Sequence, residues 1–204
     1  EPMAAALGIG IDVEEPVGNM IIDIGGGTTG ITVIALAGIV CDQSIRIAGD
    51  EFTADIMEAL RRYHSLLIGE RTAEQIKIQV GAAMKDLDNP PDDIPVNGRD
   101  LVTGIPKQIM VSYQEIAEAL DKSIFKIEEA ILKALEQTPP ELAGDIYRRG
   151  LYLTGGGALL RGLDKRLSQK IKLPVHVADD PLKSVVRGTG IALKNYDKYP
   201  FVMR

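Results

Sequence analysis

The sequence is poor in the residue types that build covalent cross-links and zinc sites. Its 204 residues contain one cysteine, two histidines, three phenylalanines and no tryptophan. A single cysteine cannot form an internal disulfide, and one cysteine with two histidines leaves too few ligands for a structural zinc site. We therefore expect no disulfide and no structural metal, and this cysteine usage is compatible with a reducing compartment such as the cytoplasm.

Long apolar runs and basic clusters are also lacking. No apolar run reaches the roughly 18 residues of a membrane-spanning helix, and no charged segment followed by an apolar one opens the chain as in a signal peptide. The net charge of −6 and the scattered lysines and arginines argue against nucleic acid as a partner. With 45% hydrophobic and 25% charged residues, the chain has the composition of a globular protein with one large core or two smaller ones.

The first half of the chain alternates β-compatible runs with amphipathic helices. A short helix is predicted over residues 3–8, and strands over 19–24, 30–36 and 39–47 form an antiparallel meander. Two helices follow, over 49–67 and 72–84. The first is predicted to bury Phe52, Ile56, Ala59 or Leu60, and Tyr63, and the second Ile76, Val80 and Ala83.

The second half contains a hairpin and then a β-α-β-α series. Asn97-Gly98 predicts a type I′ turn between two strands. Ser112 and Glu115 form a capping-box pattern before a long helix whose apolar residues run from Ile116 to Leu135. Next come a helix over 140–148 and a strand over 150–154. They are followed by a glycine run that opens a helix and by a strand over 174–178. Asp180 is predicted to cap a last helix.

This order predicts an α/β fold in which a small lobe interrupts a larger domain. Residues 1–48 and 112–178 would form the larger unit, residues 49–111 the small α/β lobe, and residues 179–204 a final helix and tail. The chain starts with EPMAAALG, an alanine-rich segment with high helix propensity. We therefore expect the chain to be part of a longer protein.

Three consecutive glycines between two strands predict a phosphate-binding turn. Glycine has no Cβ, so the amides of Gly25, Gly26 and Gly27 can converge on an anion. A Walker loop joins a strand to a helix and continues with lysine, whereas Thr28 and another strand follow here. Asp23 ends the incoming strand, where a carboxylate can hold a water of hydrated Mg²⁺. The alternative is a tight turn with no ligand, and the motif alone does not decide between them.

A second glycine run repeats this pattern. In LYLTGGGALLRGL an apolar strand again ends in threonine and three glycines, Gly155 to Gly157, and the glycines are predicted to open a helix whose amides face a nucleotide. Two such turns, each at the end of a buried strand, favour a nucleotide site.

The residues of these turns resemble a known superfamily. DIGGGTT is similar to the second phosphate motif, and LTGGGALL to the adenosine motif, of the actin, sugar-kinase and heat-shock-chaperone ATPases. The finer resemblance is to the MreB family of bacterial actin homologues, and it extends over most of residues 1–195. The strings that carry it are EPMAAALGIGIDV, DIGGGTTGITVIALAG, RIAGDEF, LIGERTAEQIK, EQTPPELAGDIYRRGLYLTGGGALLRGLD and ADDPLKSVVRGTGIAL.

The resemblance implies the second half of the two-domain actin fold. Its larger unit would be the RNase-H-like subdomain under the nucleotide, and the small lobe would be the outer subdomain. The last helix would return toward the first domain. The first phosphate loop of the family has no counterpart in this sequence.

The resemblance also implies roles for individual residues. Glu1 falls where the family orients the attacking water, Thr28 where the γ-phosphate is sensed, and Asp23 where hydrated Mg²⁺ is held. The helix residues Ala73, Glu74, Gln75, Ile76 and Lys77 would line the ribose and adenine, with Gly155, Gly156, Gly157, Ala158 and Leu160 around the base. On spacing alone, Glu74 and Lys77 would be a surface ion pair.

Two classes of function stay open. The favoured hypothesis is an ATP- and Mg²⁺-binding cytoskeletal protein that polymerises, hydrolyses ATP slowly as a complete protein and determines cell shape by organising cell-wall synthesis. Its partners would be itself and membrane-anchored cell-shape and wall-synthesis proteins. It would be cytoplasmic, at the inner face of the cell membrane, with peripheral contact through the first domain. The alternative is a non-polymerising ATPase or kinase of the same superfamily, or a module that only binds partners.

Overall fold

A computed structural model describes residues 1–199 of the chain. Within these residues the chain forms seven α-helices and eight β-strands. The helices are α1 (Pro2–Gly8), α2 (Gly49–His64), α3 (Glu70–Val80), α4 (Tyr113–Gln137), α5 (Pro140–Arg149), α6 (Leu163–Ile171) and α7 (Ser184–Lys194). The strands are β1 (Asn19–Ile24), β2 (Thr29–Ala35), β3 (Gly38–Ile45), β4 (Leu66–Leu67), β5 (Ile94–Asp100), β6 (Pro106–Val111), β7 (Leu151–Thr154) and β8 (Val175–Val177). Across residues 1–199, every helix is too short or too polar to cross a bilayer.

The five-stranded main sheet has the order β3-β2-β1-β7-β8. β1, β2 and β3 pair antiparallel, which confirms the predicted meander, whereas β7 lies parallel to both β1 and β8. β1 is in the centre and is covered on both faces, so its sequence NMIIDI is almost continuously apolar. The carboxyl ends of β1 and β7 therefore lie side by side at one edge of the sheet.

A second sheet has three strands in the order β4-β5-β6, and its hairpin turn differs from the prediction. β5 runs straight through Asn97-Gly98, and the chain reverses after Asp100, with Gly104 at φ +76°. The predicted turn at Asn97-Gly98 is therefore wrong. Gly98 meets a packing requirement, since a Cβ there would lie 2.6 Å from the carbonyl oxygen of Leu67 in β4. Glycine is needed at position 98 because of this close approach between strands, and not because of a turn.

The amphipathic helices are confirmed except at their ends. Phe52, Ile56 and Leu60 are buried, but Tyr63 in the last turn of α2 is 61% exposed, with the Arg62 guanidinium above its ring. Tyr63 therefore does not belong to the buried face of α2.

α3 stops at Val80 rather than at residue 84. Gly81 leaves the helical conformation, with φ −60° and ψ 130°, and the buried Ala83 follows the helix instead of belonging to it. The helix ends because the chain turns toward the loop before α6, where the Ala83 amide donates to the Arg161 carbonyl at 2.8 Å.

The predicted caps are only half right. The Ser112 hydroxyl accepts from the Glu115 amide at 3.3 Å, but the Glu115 carboxylate contacts His64 instead of returning to the Ser112 amide. Asp180 precedes a 3₁₀ turn, Pro181–Lys183, and α7 begins only at Ser184. The Asp180 carboxylate forms an ion pair with Lys183 and makes no capping hydrogen bond.

α1 and α7 cross at van der Waals distance through glycine. A Cβ on Gly8 would lie 1.7 Å from the Ser184 carbonyl oxygen, and one on Gly188 would lie 1.7 Å from that of Ala4. The crossing builds a second apolar cluster beside the main core, on the face of the sheet that carries Ile21. The main core fills the other face of the sheet and also contains Leu66, Val96 and Val111 of the three-stranded sheet.

The turn after β5 predicts a pH-dependent contribution to stability. The Asp100 carboxylate accepts from the amides of Thr103 and Val102 and pairs with Lys107, which lowers its pKa from 3.8 to about 2. A lowered folded-state pKa stabilises the fold above the unfolded value, and this stabilisation is lost as pH falls through about 2. The melting temperature of Asp100→Asn should therefore lie below that of the wild type at pH 7, with a smaller gap at pH 3.

Thermal denaturation followed by circular dichroism at both pH values measures this gap. Asp93→Asn is the control, because Asp93 is exposed and has no hydrogen-bond partner within residues 1–199. A gap for Asp100→Asn that is equally large at pH 3 and pH 7 would contradict the prediction.

Candidate functional site

The second glycine turn packs against the end of the strand that leads into the first, at the carboxyl edge of the main sheet. Asp23 in β1 is in register with Thr154 in β7. Gly155 follows with φ +80°, and a Cβ there would lie 2.4 Å from both the Asp23 carboxylate and the Ile24 carbonyl oxygen. Only glycine fits this conformation and this space. The second turn is therefore held directly against the strand that carries Asp23.

The first turn leaves backbone amides and space without a protein partner. The Gly25 amide donates to the Thr28 carbonyl at 3.0 Å, whereas the amides of Gly26, Gly27 and Thr28 donate to no acceptor within residues 1–199. A Cβ on Gly26 or Gly27 would meet only the Asp50 carboxylate, at 3.6 and 3.7 Å, and neither residue has a positive φ. The fold itself does not require glycine at these two positions. The turn instead leaves a cradle in which an anion can reach the free amides.

The second turn is built differently from the prediction. Gly156–Leu159 is a short 3₁₀ turn, and α6 begins only at Leu163, so the predicted helix at the glycine run is wrong. The reason is close packing, because a Cβ on Gly157 would lie 2.2 Å from Cγ2 of Ile24. The turn lies flat against β1, and Leu160 continues along the wall of the cavity beside it.

A hydrogen-bond network between α2 and α3 forms the third wall. The Lys77 ammonium donates to the Gly49 carbonyl at 2.8 Å, to the Thr53 hydroxyl at 3.0 Å and to Oε2 of Glu74 at 2.6 Å. The Gly49 amide in turn donates to the Gly25 carbonyl at 3.1 Å. The start of α2 is thus hydrogen-bonded to the first glycine turn.

These three walls enclose a cavity of about 810 Å³, a size that suits a nucleotide-sized ligand. Most of the predicted site residues line it: Glu1, Asp23, Gly25, Gly26, Glu74, Lys77, Gly155, Gly156, Gly157 and Leu160. Thr28 lines a smaller cavity of about 200 Å³ that shares Glu1, Asp23 and Gly25 with the first. Gly27 is exposed at the tip of the turn and lines neither cavity.

Besides Gly27, four predicted residues lie outside the lining of both cavities. Ala73, Ile76 and Ala158 are buried in the core, and Gln75 is exposed on the outer side of α3. One helix presents only one stripe to a cavity, and in α3 that stripe contains Glu74, Lys77 and Ile78. The structure therefore gives these four residues no access to a ligand in either cavity.

Sequence reasoning missed part of the lining. Gly49, Asp50 and Phe52 enter from the start of α2, Arg161 from the loop before α6, and the remaining residues are the apolar side chains Ile78, Leu159, Pro181, Leu182 and Val185. The GD pair that opens α2 was a usable signal, because a helix start directly after the meander faces the edge where the glycine turns lie.

The electrostatics of the site suit a bound cation. Burial and then the charge of Glu1 raise the pKa of Asp23 above its usual value. Burial opposes ionisation of Glu74, but its hydrogen bonds from Lys77 and Thr53 outweigh burial and lower its pKa. No group of three His, Cys, Asp or Glu within residues 1–199 could enclose a bare metal ion. The carboxylates of Asp23 and Glu1 fit instead a hydrated Mg²⁺ held through water beside the free amides.

Because the pKa of Asp23 is raised, the ionised carboxylate destabilises the ligand-free fold. An acid whose folded-state pKa is raised destabilises the fold when ionised, and the cost disappears as pH falls through the folded and then the unfolded pKa. Asp23→Asn should therefore raise the melting temperature of the ligand-free chain at pH 7, and by less at pH 4.

Differential scanning calorimetry at the two pH values measures this. Asp12→Asn is the control, since Asp12 lies in an exposed loop remote from both cavities. A lower melting temperature for Asp23→Asn at pH 7 would contradict the expected cost.

Comparison with known proteins places this geometry in a family. A family model described as "MreB/Mbl protein" matches residues 1–200. The chain belongs to the MreB/Mbl family. It is 48% identical over 200 residues to the cell shape-determining protein Mbl of Bacillus subtilis and 49% identical over 202 residues to the cell shape-determining protein MreB of Escherichia coli. These alignments cover 98% of the chain but 60% and 57% of the relatives, so the chain spans less than two thirds of their length.

Solved MreB structures have the same fold. MreB5 of Spiroplasma citri bound to ADP superposes with a TM-score of 0.92 at 42% identity, covering 96% of this chain and 59% of that one. The same protein bound to AMPPNP gives 0.93 at 40% identity, covering 99% and 60%. A MamK double helical filament, at 24% identity and a TM-score of 0.73 over 92% of this chain and 56% of that one, shares the fold. The actin-like fold of this MreB/Mbl chain is thus established.

Proposed function

We propose that the chain is the nucleotide-binding half of a filament-forming, ATP-binding cytoskeletal protein. The observation that carries the proposal is the cradle of the first glycine turn: three amides without acceptors in residues 1–199, beside glycines that the fold itself does not require. The two MreB5 structures named for bound ADP and AMPPNP support a nucleotide as its ligand. The complete protein would polymerise with ATP, hydrolyse it slowly and determine cell shape by organising wall synthesis.

Each part of the site has a role in this proposal. The free amides of Gly26, Gly27 and Thr28 bind phosphate oxygens, and the second turn with Leu160 packs against the adenosine. Asp23 orients waters of a hydrated Mg²⁺, an ion that neutralises phosphate charge when bound. Glu1, which lines both cavities together with Asp23, would orient an attacking water and accept its proton.

The proposed partners follow from the family. Self-association into protofilaments is supported by the filament named for MamK, whose fold this chain shares. Membrane-anchored cell-shape and wall-synthesis proteins would be further partners, at the cytoplasmic face of the membrane. Peripheral membrane contact would belong to the first domain that the family resemblance implies.

Nucleotide-dependent sedimentation tests the proposal. The chain, supplied with the first domain that the family resemblance implies, is centrifuged with and without Mg-ATP, and the Asp23→Ala variant is treated in parallel. We expect pelleting that requires Mg-ATP in the parent and is reduced in the variant. ATP binding without pelleting at any protein concentration would favour a non-polymerising ATPase or kinase, and pelleting that ignores nucleotide would favour a module that only binds partners.

Gly26→Ala should separate ligand binding from folding. The new methyl group meets only the Asp50 carboxylate at ordinary contact distance, so the melting temperature should stay close to that of the wild type. The same methyl group occupies the cradle, and ATP affinity should fall by about tenfold or more, as expected when an anion loses a charge-assisted hydrogen bond.

Isothermal titration calorimetry with Mg-ATP measures this affinity. Gly144→Ala is the control, because a Cβ on Gly144 in α5 would have no neighbour within 4 Å and lies away from the cavity. Unchanged ATP affinity in Gly26→Ala would remove the cradle as the phosphate site.

A further inference from the structure

One polar residue beside the cavity has no role so far. Thr53, in the second turn of α2, is only 8% exposed, and its hydroxyl lies within hydrogen-bond distance of three groups. These are the Lys77 ammonium at 3.0 Å, Oε2 of Glu74 at 2.9 Å and the Gly49 carbonyl at 3.0 Å. A buried hydroxyl at the centre of a charged pair controls how that pair is oriented.

The Lys77 ammonium has no proton left for a ligand. An ammonium group carries three N–H donors, and the three acceptors around it are Gly49, Thr53 and Glu74. Its side chain is also only 15% exposed. Lys77 therefore acts as a fixed support, and within this network the polar contact to a ligand comes from Glu74.

The Thr53 hydroxyl has one proton and two candidate acceptors. A carboxylate is a stronger acceptor than a backbone carbonyl, so the proton goes to Oε2 of Glu74. Oε2 then accepts from both Thr53 and Lys77, and the carboxylate is held at two points. Oε1 has no hydrogen-bond partner within residues 1–199, and the Glu74 side chain is 48% exposed at the cavity. The arrangement presents one fixed, ionised acceptor to a ligand.

We propose that Thr53 is a positioning residue that aims Oε1 of Glu74 at the hydroxyl groups of a ribose, so that the site selects ribonucleotides over deoxyribonucleotides. The inference rests on the proposed nucleotide function and deepens it. A ribose hydroxyl donates to the free carboxylate oxygen, whereas a deoxyribose leaves it without a partner. A carboxylate without Thr53 keeps only the Lys77 contact and can rotate away.

The phosphate side of the site should not depend on the Thr53 hydroxyl. The Gly49 carbonyl keeps its bond from Lys77, and the Gly49 amide keeps its bond to the Gly25 carbonyl. The first glycine turn therefore stays in place when only the hydroxyl is removed. This separates loss of ribose selection from general damage to the site.

The test compares ATP, 2′-deoxy-ATP and 3′-deoxy-ATP by isothermal titration calorimetry with Mg²⁺. Thr53→Val removes the hydroxyl at nearly constant volume, and Thr53→Ser restores it without the methyl group. Thr189→Val, on the exposed face of α7, is the matched control for exchanging threonine and valine. Inorganic tripolyphosphate reports on the phosphate turn alone.

We expect the wild type to bind ATP about tenfold or more tightly than at least one deoxy analogue, the effect of a hydrogen bond to a charged group. Thr53→Val should bring this ratio close to one with unchanged tripolyphosphate affinity, and Thr53→Ser should restore it. Equal affinity of the wild type for all three nucleotides would overturn ribose selection, and a ratio retained in Thr53→Val would overturn the role of Thr53. If the wild type bound neither ATP nor tripolyphosphate, the proposed function itself would fail.

Discussion

Gly188→Ala is expected to destabilise the chain by about 3 kcal/mol, near the upper end of the range for overpacked sites. The added Cβ would lie 1.7 Å from the Ala4 carbonyl oxygen and 2.6 Å from its carbon. Both are backbone atoms of α1, so no side chain can rotate away. The helices would have to separate, which opens the apolar cluster that α1 and α7 build on the sheet.

Gly190→Ala, two residues further along the same helix, is the matched control. A Cβ there would have no neighbour within 4 Å, and alanine is favoured over glycine in a helix by about 0.5–1 kcal/mol. Urea denaturation of the two variants should therefore give shifts of opposite sign. A stabilised or neutral Gly188→Ala would show that the crossing of α1 and α7 is looser than described.

Gly155→Ala is expected to abolish nucleotide binding. At φ +80° an L-residue is disfavoured by about 1–2 kcal/mol. The Cβ would also lie 2.4 Å from the Asp23 carboxylate and from the Ile24 carbonyl oxygen. Relief requires the second turn to move off β1, which displaces Asp23 together with the cavity wall that Gly155, Gly156 and Gly157 form. We expect ATP affinity to fall by about a hundredfold or more, with a clear loss of stability.

Gly156→Ala provides the comparison within the same turn. Its Cβ would meet Cδ2 of Leu182 at 3.1 Å, and this side chain is 66% exposed and can rotate. The fold should therefore survive in Gly156→Ala, as measured by thermal denaturation. Fluorescence titration with a labelled ATP analogue measures binding in both variants. Equal ATP affinity in Gly155→Ala and the wild type would contradict the placement of this turn.

Much of the architecture was readable from local sequence pattern. The meander, the long helix after Ser112 and the strand before Gly155 depend on periodicity and capping within a few residues, and the structure confirms them. The turn predicted at Asn97-Gly98 is wrong because Gly98 is required for close packing against β4, a strand about thirty residues earlier in the chain. The sequence alone does not distinguish a glycine needed for a turn from a glycine needed for close packing.

In the candidate site, too, the residues of contiguous motifs were predicted, whereas those that depend on tertiary contacts were not. The glycine turns were predicted because each is a contiguous motif. Thr53 was missed because its hydroxyl acquires meaning only beside Lys77, which lies on another helix. Ala73 and Ile76 were included because a motif does not say which stripe of a helix faces the cavity, and burial of that stripe in the core is a tertiary result.

The crossing of α1 and α7 also fixes an order of events during synthesis. Gly8 and Arg187 are in contact but 179 residues apart in sequence. At roughly 5–20 residues per second, a ribosome needs about 10–40 s to produce the second helix after the first. During that interval the apolar face of α1 has no partner helix. This part of the chain therefore cannot complete its folding until α7 has left the ribosome.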